Sequence, residues 1–528
     1  MTVQAAFCAT IVDEWIRGGL THAVIAPGSR STPLAVALAA RSELHLKVVV
    51  DERSAAFVAL GVGLASGRPA VVLTTSGTAA AELLPAVVEA HHGRVPMLVA
   101  TADRPWEAMD VRAPQTVDQT RLFEGLTRFR AAPGVPDDAS AGAWRSLAAR
   151  ALLEARHHVG GPGPVHLNLA FREPLLADGS VEAVPGRADG GPWHRVDTAP
   201  AGLTPLGLRG RRGLVVAGAG APPVGTLQQL GWPVLADPRS GARVPHELTV
   251  ASADALLRDA RFAAAHVPDA VLHVGEPWAS RVVNEWLTAS DAEHTVIDPY
   301  GVWPDPWRVA ACIVRGNVSP LAEERAADGW VHAWTTAEAA AQSAIASAVD
   351  DASASGIVRR VYADAADDAI VFVASSMPVR DLEWFGAPRE GVTVLSNRGA
   401  NGIDGLVSTA AGIAWAAPAR PVVGVLGDLG FLHDIGGLRA AARHHNLDFV
   451  VIDNDGGAIF DFLPQAAALS PETFAQLFAT PHGLDLSAHA AAVPGVRVDV
   501  RHVPPGSAVT THRAIHAAVA STLAAAFA

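Results

Sequence analysis

Short apolar runs alternate along the chain with longer stretches whose apolar positions recur at helical spacing. That rhythm predicts an α/β fold with parallel sheets. In the first third, Ala23–Ala26, Leu46–Val50, Ala70–Thr74, Met97–Thr101 and Val165–Leu169 read as strands. Helical stretches at Thr32–Ala40, Ser54–Ala65 and Thr78–His91 lie between them. The Pro-, Gly- and Ala-rich segment Asp178–Gly213 has little periodicity and reads as a linker. A second unit opens at Leu214-Val-Val-Ala, includes Ala270–Gly275 and runs to the helical stretch Thr336–Val349. Asp350–Gly356 marks a second boundary, after which Ile370–Ala374, Val392–Leu395, Val422–Leu426 and Phe449–Ile452 repeat the strand pattern. The expectation is three doubly wound parallel-sheet domains: 1–180, then 181–350 with the linker and a Rossmann-like unit, then 351–528.

Composition narrows the partners. The chain has 528 residues, too many for one core, and 50% hydrophobic with 18% charged residues makes it a folded globular chain. A formal net charge of -13 without any basic run excludes nucleic acid and anionic membranes as expected partners. Lys47 is the sole lysine, so local positive charge must come from arginine. Cys8 and Cys312 have no redox or metal spacing, read as buried apolar fillers, and fit a reducing compartment. No apolar stretch is long enough to span a bilayer, and Met1–Trp15 does not read as a signal peptide, so a cytoplasmic protein is expected.

The candidate chemistry lies at strand ends. Gly427-Asp428-Leu429 follows the run Val422–Leu426, and Asn454-Asp-Gly-Gly follows the next run, 26 residues on. Ligands of open α/β sheets bind at the carboxyl ends of strands. Each motif alone is an ordinary turn, but together an Asp carboxylate, an Asn amide oxygen and a loop carbonyl make a hard oxygen set suited to Mg²⁺. In the first third, Val48–Val50 ends in Asp51-Glu52 just before a helix, where an acid serves equally as a helix-terminus residue or as a functional carboxylate. The loop Asn397-Arg398-Gly399-Ala400-Asn401-Gly402-Ile403 sets one large apolar side chain among polar residues and glycines. Gly218-Ala-Gly-Ala-Pro-Pro hints at a dinucleotide loop but lacks the third glycine. The adjacent pairs His91-His92, His157-His158 and His444-His445 point apart on helices and make poor metal sites.

The Gly-Asp…Asn pattern at this spacing resembles the signature of thiamine-diphosphate enzymes. That resemblance implies a Mg²⁺ or Mn²⁺ ion held by Asp428, Asn454 and the Gly456 carbonyl, with Gly427, Leu429, Ser376 and Ile459 also at the cofactor. It implies that Glu52 hydrogen-bonds the aminopyrimidine N1′ of thiamine diphosphate and so drives removal of the thiazolium C2 proton. Ile403 would be the wedge that bends the cofactor into a V. Since Glu52 and Asp428 fall in different domains, the resemblance further implies a homodimer or homotetramer with the active site at the subunit interface.

Further stretches resemble one branch of that superfamily, the 2-succinyl-5-enolpyruvyl-6-hydroxy-3-cyclohexene-1-carboxylate (SEPHCHC) synthases of menaquinone synthesis. They include Ala26-Pro-Gly-Ser-Arg-Ser-Thr-Pro-Leu34, Thr101-Ala-Asp-Arg-Pro105, Ser396-Asn-Arg-Gly-Ala400 and Gly427-Asp-Leu-Gly-Phe-Leu-His-Asp434. The likeness is dense in the first and last thirds and thin in the middle. It implies that Ser29, Arg30, Arg104, Gln115 and Arg281 bind isochorismate, that Ser376, Arg380 and Arg398 serve 2-oxoglutarate, and that Phe460 is a further substrate contact, with Arg380 and Arg398 counted as catalytic beside Glu52. Pro114 departs from the branch, which often has Asn before the Gln. Two carboxylates on each substrate suit arginine, the residue best fitted to bidentate capture of carboxylate. Two rivals compete: a thiamine-diphosphate lyase or synthase for another 2-oxo acid, and a silent relative that only binds cofactor or metabolite.

Overall fold

The apolar runs of the first third pair into one all-parallel sheet: β1 (His22–Ile25), β2 (His45–Val48), β3 (Ala70–Thr74), β4 (Met97–Asp103), β5 (Phe129–Gly134) and β6 (Pro164–Ala170), in the order β2-β1-β3-β4-β6-β5. The central strands β1, β3, β4 and β6 are buried along nearly their whole length because both faces are covered, whereas the edge strands β2 and β5 are largely exposed. Ala23, Ile25, Val71 and Leu73 point into one buried cluster, whereas Val24, Ala26 and Val72 point into another. The computed structural model describes residues 3–177, 181–196, 204–316, 318–442 and 444–527.

The middle third carries β7 (Thr204–Leu208), β8 (Gly213–Ala217), β9 (Val234–Ala236), β10 (Thr249–Val250), β11 (Ala270–Val274), β12 (Glu293–Asp298), β13 (Ala310–Arg315) and β14 (Val318–Ala322). A parallel sheet runs β10-β9-β8-β11-β12-β13, and β7 pairs with β14 apart from it. In the last third, β15 (Ile370–Val373), β16 (Thr393–Leu395), β17 (Val422–Gly427), β18 (Leu447–Asp453) and β19 (Arg497–His502) form a third parallel sheet in the order β16-β15-β17-β18-β19. Three α/β sheets with parallel strands are therefore present, as the apolar rhythm predicts.

Two expectations need correction. The segment read as a linker contains β7, whose Pro205 and Gly207 break the alternation that reveals most strands; residues 178–180 and 197–203 of that segment lie outside the described ones. Cys8 is buried, and burial pushes its thiol pKa up, but Cys312 is exposed on the edge strand β13 and is no core filler. Among the described residues, no helix is long and apolar enough to cross a membrane.

The first and third units share a core. Helix Glu52–Ser66, buried at every residue from Ser54 to Gly63, crosses helix Leu406–Ala416, which is buried from Leu406 to Ala414. Both sequences are apolar nearly all round, as helices enclosed on all sides must be. The crossing is set by glycine: a Cβ on Gly61 would stand 2.1 Å from the Thr409 carbonyl oxygen, and one on Gly412 would stand 2.1 Å from that of Val58. Backbone cannot yield as a side chain does. Gly412→Val is therefore expected to cost roughly 1–3 kcal/mol or more, read as a lowered urea midpoint at unchanged m-value; a wild-type midpoint would contradict this packing.

Candidate functional site

Strands β17 and β18 lie side by side, Gly427 opposite Ile452, so their loops open at the same edge of the sheet. Asp428 stands there with only 2% of its surface exposed. Its Oδ2 accepts the N–H groups of Asn454 (3.1 Å) and Gly456 (2.8 Å), and its Oδ1 accepts that of Leu429 (2.6 Å). Burial raises its pKa and the three N–H groups partly offset this, so the carboxylate is costly to leave without a cation. His482 enters from a distant loop, its Nε2 3.5 Å from Asp428 Oδ2 and 3.6 Å from Asp453 Oδ1. Asp455 ties that loop down by accepting the N–H groups of His482 (2.9 Å) and Gly483 (2.7 Å). Among the described residues, Asp428, Asp453 and His482 are the one group of His, Cys, Asp or Glu side chains clustered closely enough to hold a metal. The adjacent histidine pairs form none; His444 instead lies against the Lys47 ammonium.

Around Asp428 opens a cavity that gathers most of the expected cofactor residues. Ser376, Ile403, Gly427, Leu429, Asn454, Gly456, Ile459 and Phe460 all line it. Ile403 is 41% exposed, which leaves its side chain open to the cavity. Asp428, Asp381, Asn454, Ser376 and Ser507 supply its polar lining, and the rest is apolar or glycine, including Met377, Leu429 and Ile459. A hard-oxygen set beside apolar side chains fits a cofactor that joins a metal-bound diphosphate to apolar aromatic rings. Asp428, Asn454 and the Gly456 carbonyl are the residues that would hold the metal.

Beyond Ser376 the charge turns positive. Arg380 donates to the carbonyls of Ser375 (3.1 Å) and Ser376 (2.7 Å), and Arg398 reaches the same Ser375 carbonyl at 3.3 Å. Neither makes an ion pair with a carboxylate among the described residues. Burial, together with the nearby Arg239 and Arg380, pushes the Arg398 pKa down to about 10. Arg239 comes from the middle unit and is itself paired with Asp237 (2.7 Å). Crowded, half-buried guanidiniums of this kind favour an anionic ligand.

A second arginine group lies at the ends of β1 and β4. Arg30 donates to the Phe171 carbonyl (3.0 Å) and lies 3.3 Å from Glu173, while Arg104 donates to Ser76 Oγ (2.7 Å). The Gln115 amide is engaged by the Ser76 carbonyl (2.9 Å), which gives that side chain a fixed place despite Pro114. Arg30 and Arg104 are close enough that Arg104 helps lower the Arg30 pKa, after burial. Ser29 is exposed beside them. Arg281 joins neither group: it is 85% exposed at the start of helix Arg281–Thr288 and bonds to Glu285.

Glu52 is placed apart from the cavity. It is the first residue of helix Glu52–Ser66, yet the capping is done by Asp51, which accepts the Ser54 N–H (3.2 Å). Glu52 makes no hydrogen bond or ion pair among the described residues and does not line the Asp428 cavity. Arg53 donates to the His433 carbonyl (3.1 Å), and Ser54 Oγ donates to buried Asp434 (3.4 Å), so the helix start is pinned to the far end of helix Asp428–His433. Four residues that sequence patterns missed thus surround these groups: His482, Asp453, Arg239 and Glu89, which holds the loop of Arg398.

Comparison with known proteins accounts for both halves. Residues 2–122 match the N-terminal TPP binding domain of thiamine pyrophosphate enzymes, and residues 382–525 match their C-terminal TPP binding domain. The SEPHCHC synthase of Chloroflexus aurantiacus is 42% identical over 92% of this chain and 87% of its own length. The corresponding synthase of Myxococcus xanthus is 42% identical over 95% and 91%. The chain belongs to the SEPHCHC synthase family. That of Geobacillus thermodenitrificans, 39% identical over 94% and 89%, extends the family likeness to a third organism. The likeness to these synthases runs nearly end to end, so it includes the middle unit that neither thiamine pyrophosphate domain covers.

Proposed function

We propose that this protein joins 2-oxoglutarate to isochorismate, with loss of CO₂, to form SEPHCHC for menaquinone synthesis. The observation that carries the substrate assignment is the pair Arg380 and Arg398, half-buried beside the Asp428 cavity and without a carboxylate ion pair among the described residues. A lyase for pyruvate or an apolar 2-oxo acid has no use for two such guanidiniums. Thiamine diphosphate, when bound, supplies the electron sink for decarboxylation and for carbon–carbon bond formation. Asp428, Asn454 and the Gly456 carbonyl would hold its Mg²⁺ or Mn²⁺, and Ile403 would pack against it in the same cavity. Arg380, Arg398 and Ser376 seat the 2-oxo acid next to it. Arg30, Arg104 and Gln115, with Ser29 at the rim, hold the isochorismate carboxylates, so both substrates are oriented before they meet.

Glu52 moves the proton at the aminopyrimidine nitrogen, and it does so in the active site of a second chain. Two observations support this. Asp51, not Glu52, caps the helix, and Glu52 makes no hydrogen bond or ion pair among the described residues. Leading up to it, Leu46 and Val48 on the edge strand β2 and Val50 just beyond it present an exposed apolar row. Apolar rows of this kind mark contact surfaces, and a two-fold pair of chains would cover both copies at once.

The substrate assignment is tested by measuring CO₂ release with thiamine diphosphate and Mg²⁺, offering 2-oxoglutarate or pyruvate, each with isochorismate. Turnover of 2-oxoglutarate with formation of a succinyl adduct of isochorismate is expected. A higher kcat/KM for pyruvate would refute it.

A further inference from the structure

The loop that carries Arg398 is not held by its own unit alone. Glu89, in helix Leu84–His92 of the first unit, is 5% exposed, and its carboxylate accepts three successive backbone N–H groups of the third unit. These are Gly399 (2.6 Å), Ala400 (2.7 Å) and Asn401 (3.3 Å). Consecutive N–H groups converging on one carboxylate form an anion-binding nest, here filled by a side chain of the protein. On the other side of Arg398, Asn397 Nδ2 donates to Thr409 Oγ1 (3.0 Å), and the Asn397 carbonyl accepts Ser375 Oγ. Arg398 is the one residue between these two anchors. A Cβ on Gly399 would stand 2.4 Å from the Gly93 nitrogen and 2.5 Å from the Glu89 carbonyl oxygen, so the loop lies directly on the end of the Glu89 helix.

Burying a carboxylate is a poor way to gain stability, since desolvation offsets most of what the hydrogen bonds return. Its distinctive effect is geometric: three charge-assisted bonds fix the path of the backbone at 399–401. The same loop continues to Ile403 in the cofactor cavity, whereas the Arg30–Arg104 group lies on other strand ends. We propose that Glu89 is a positioning residue for 2-oxoglutarate: it sets the Arg398 guanidinium, through the loop backbone, at the place where the 2-oxo acid is bound. The inference rests on the assignment of Arg398 to that substrate.

The test compares KM values for the two substrates in Glu89→Gln, Glu89→Ala and Arg398→Ala, alongside thermal midpoints. Glu89→Gln is isosteric and keeps one acceptor oxygen, but its amide NH₂ opposes the remaining N–H groups. Its KM for 2-oxoglutarate is expected to rise at least tenfold, with the KM for isochorismate within twofold of wild type, and Glu89→Ala is expected to rise further. If Glu89 only staples the units together, the midpoint falls while the two KM values stay or move together, and the inference is overturned. Should Glu89→Ala fail to fold, Glu89→Gln decides alone. A raised KM for 2-oxoglutarate in Arg398→Ala with a wild-type value in Glu89→Gln removes the role of Glu89 only. A wild-type value in Arg398→Ala removes the substrate assignment as well.

Discussion

Glu52→Gln is expected to lower kcat by about 10²–10⁴-fold, the span typical of losing a positioned proton-transfer group. The substitution keeps the size of the side chain and one acceptor oxygen but removes the group that can take and return a proton. Because Asp51 caps the helix through Ser54 and Glu52 makes no bond among the described residues, the helix start is held without the Glu52 carboxylate. The thermal midpoint of Glu52→Gln should therefore match wild type while the rate collapses. Exchange of the C2 proton of bound thiamine diphosphate, followed by NMR in deuterated buffer, isolates the step. A wild-type exchange rate in the variant would show that some other group moves that proton.

Asp428→Ala should act on binding before it acts on chemistry. The carboxylate is buried, its pKa is raised by burial, and three N–H groups aim it toward the cavity. Loss of a partner that merely supports a metal ligand costs about 10–100-fold in metal affinity, and loss of the ligand itself should exceed that. Mg²⁺ titrated against tryptophan fluorescence in the presence of thiamine diphosphate should show at least a hundredfold weaker apparent Kd. The substitution also orphans the N–H groups of Leu429, Asn454 and Gly456, so a modest fall in the apo thermal midpoint is expected beside the larger loss of metal affinity. An unchanged Kd would place the metal elsewhere.

The legible parts of this molecule share a physical reason. Gly427-Asp428 and Asn454 are readable from sequence because neighbouring parallel strands end at one edge, so two motifs 26 residues apart must converge. Arg380 and Arg398 are legible for a similar reason, each following a strand of the same sheet. His482 has no such signal: its approach to Asp428 depends on how a loop folds back onto Asp455. Glu89 is hidden more thoroughly, as an acid in an otherwise apolar helix whose partners lie more than 300 residues away. Edge strands β5 and β19 escape the pattern because half or more of their residues face solvent, and short β7 escapes because proline and glycine interrupt it. Glu52 was legible as a residue in another domain than Asp428, and the fold adds that it does not line the Asp428 cavity of its own chain.

That separation is the core of the proposed site, in which Glu52 of one chain and Asp428 of another close around one cofactor. Equal amounts of Glu52→Gln and Asp428→Ala protein, mixed under conditions that allow chains to exchange, test it most directly. Each mixed dimer would own one site with both residues intact and one with neither, so about a quarter of wild-type activity should return from two nearly inactive proteins. Verified exchange with no recovered activity would mean that Glu52 and Asp428 act within a single chain, and would contradict the account.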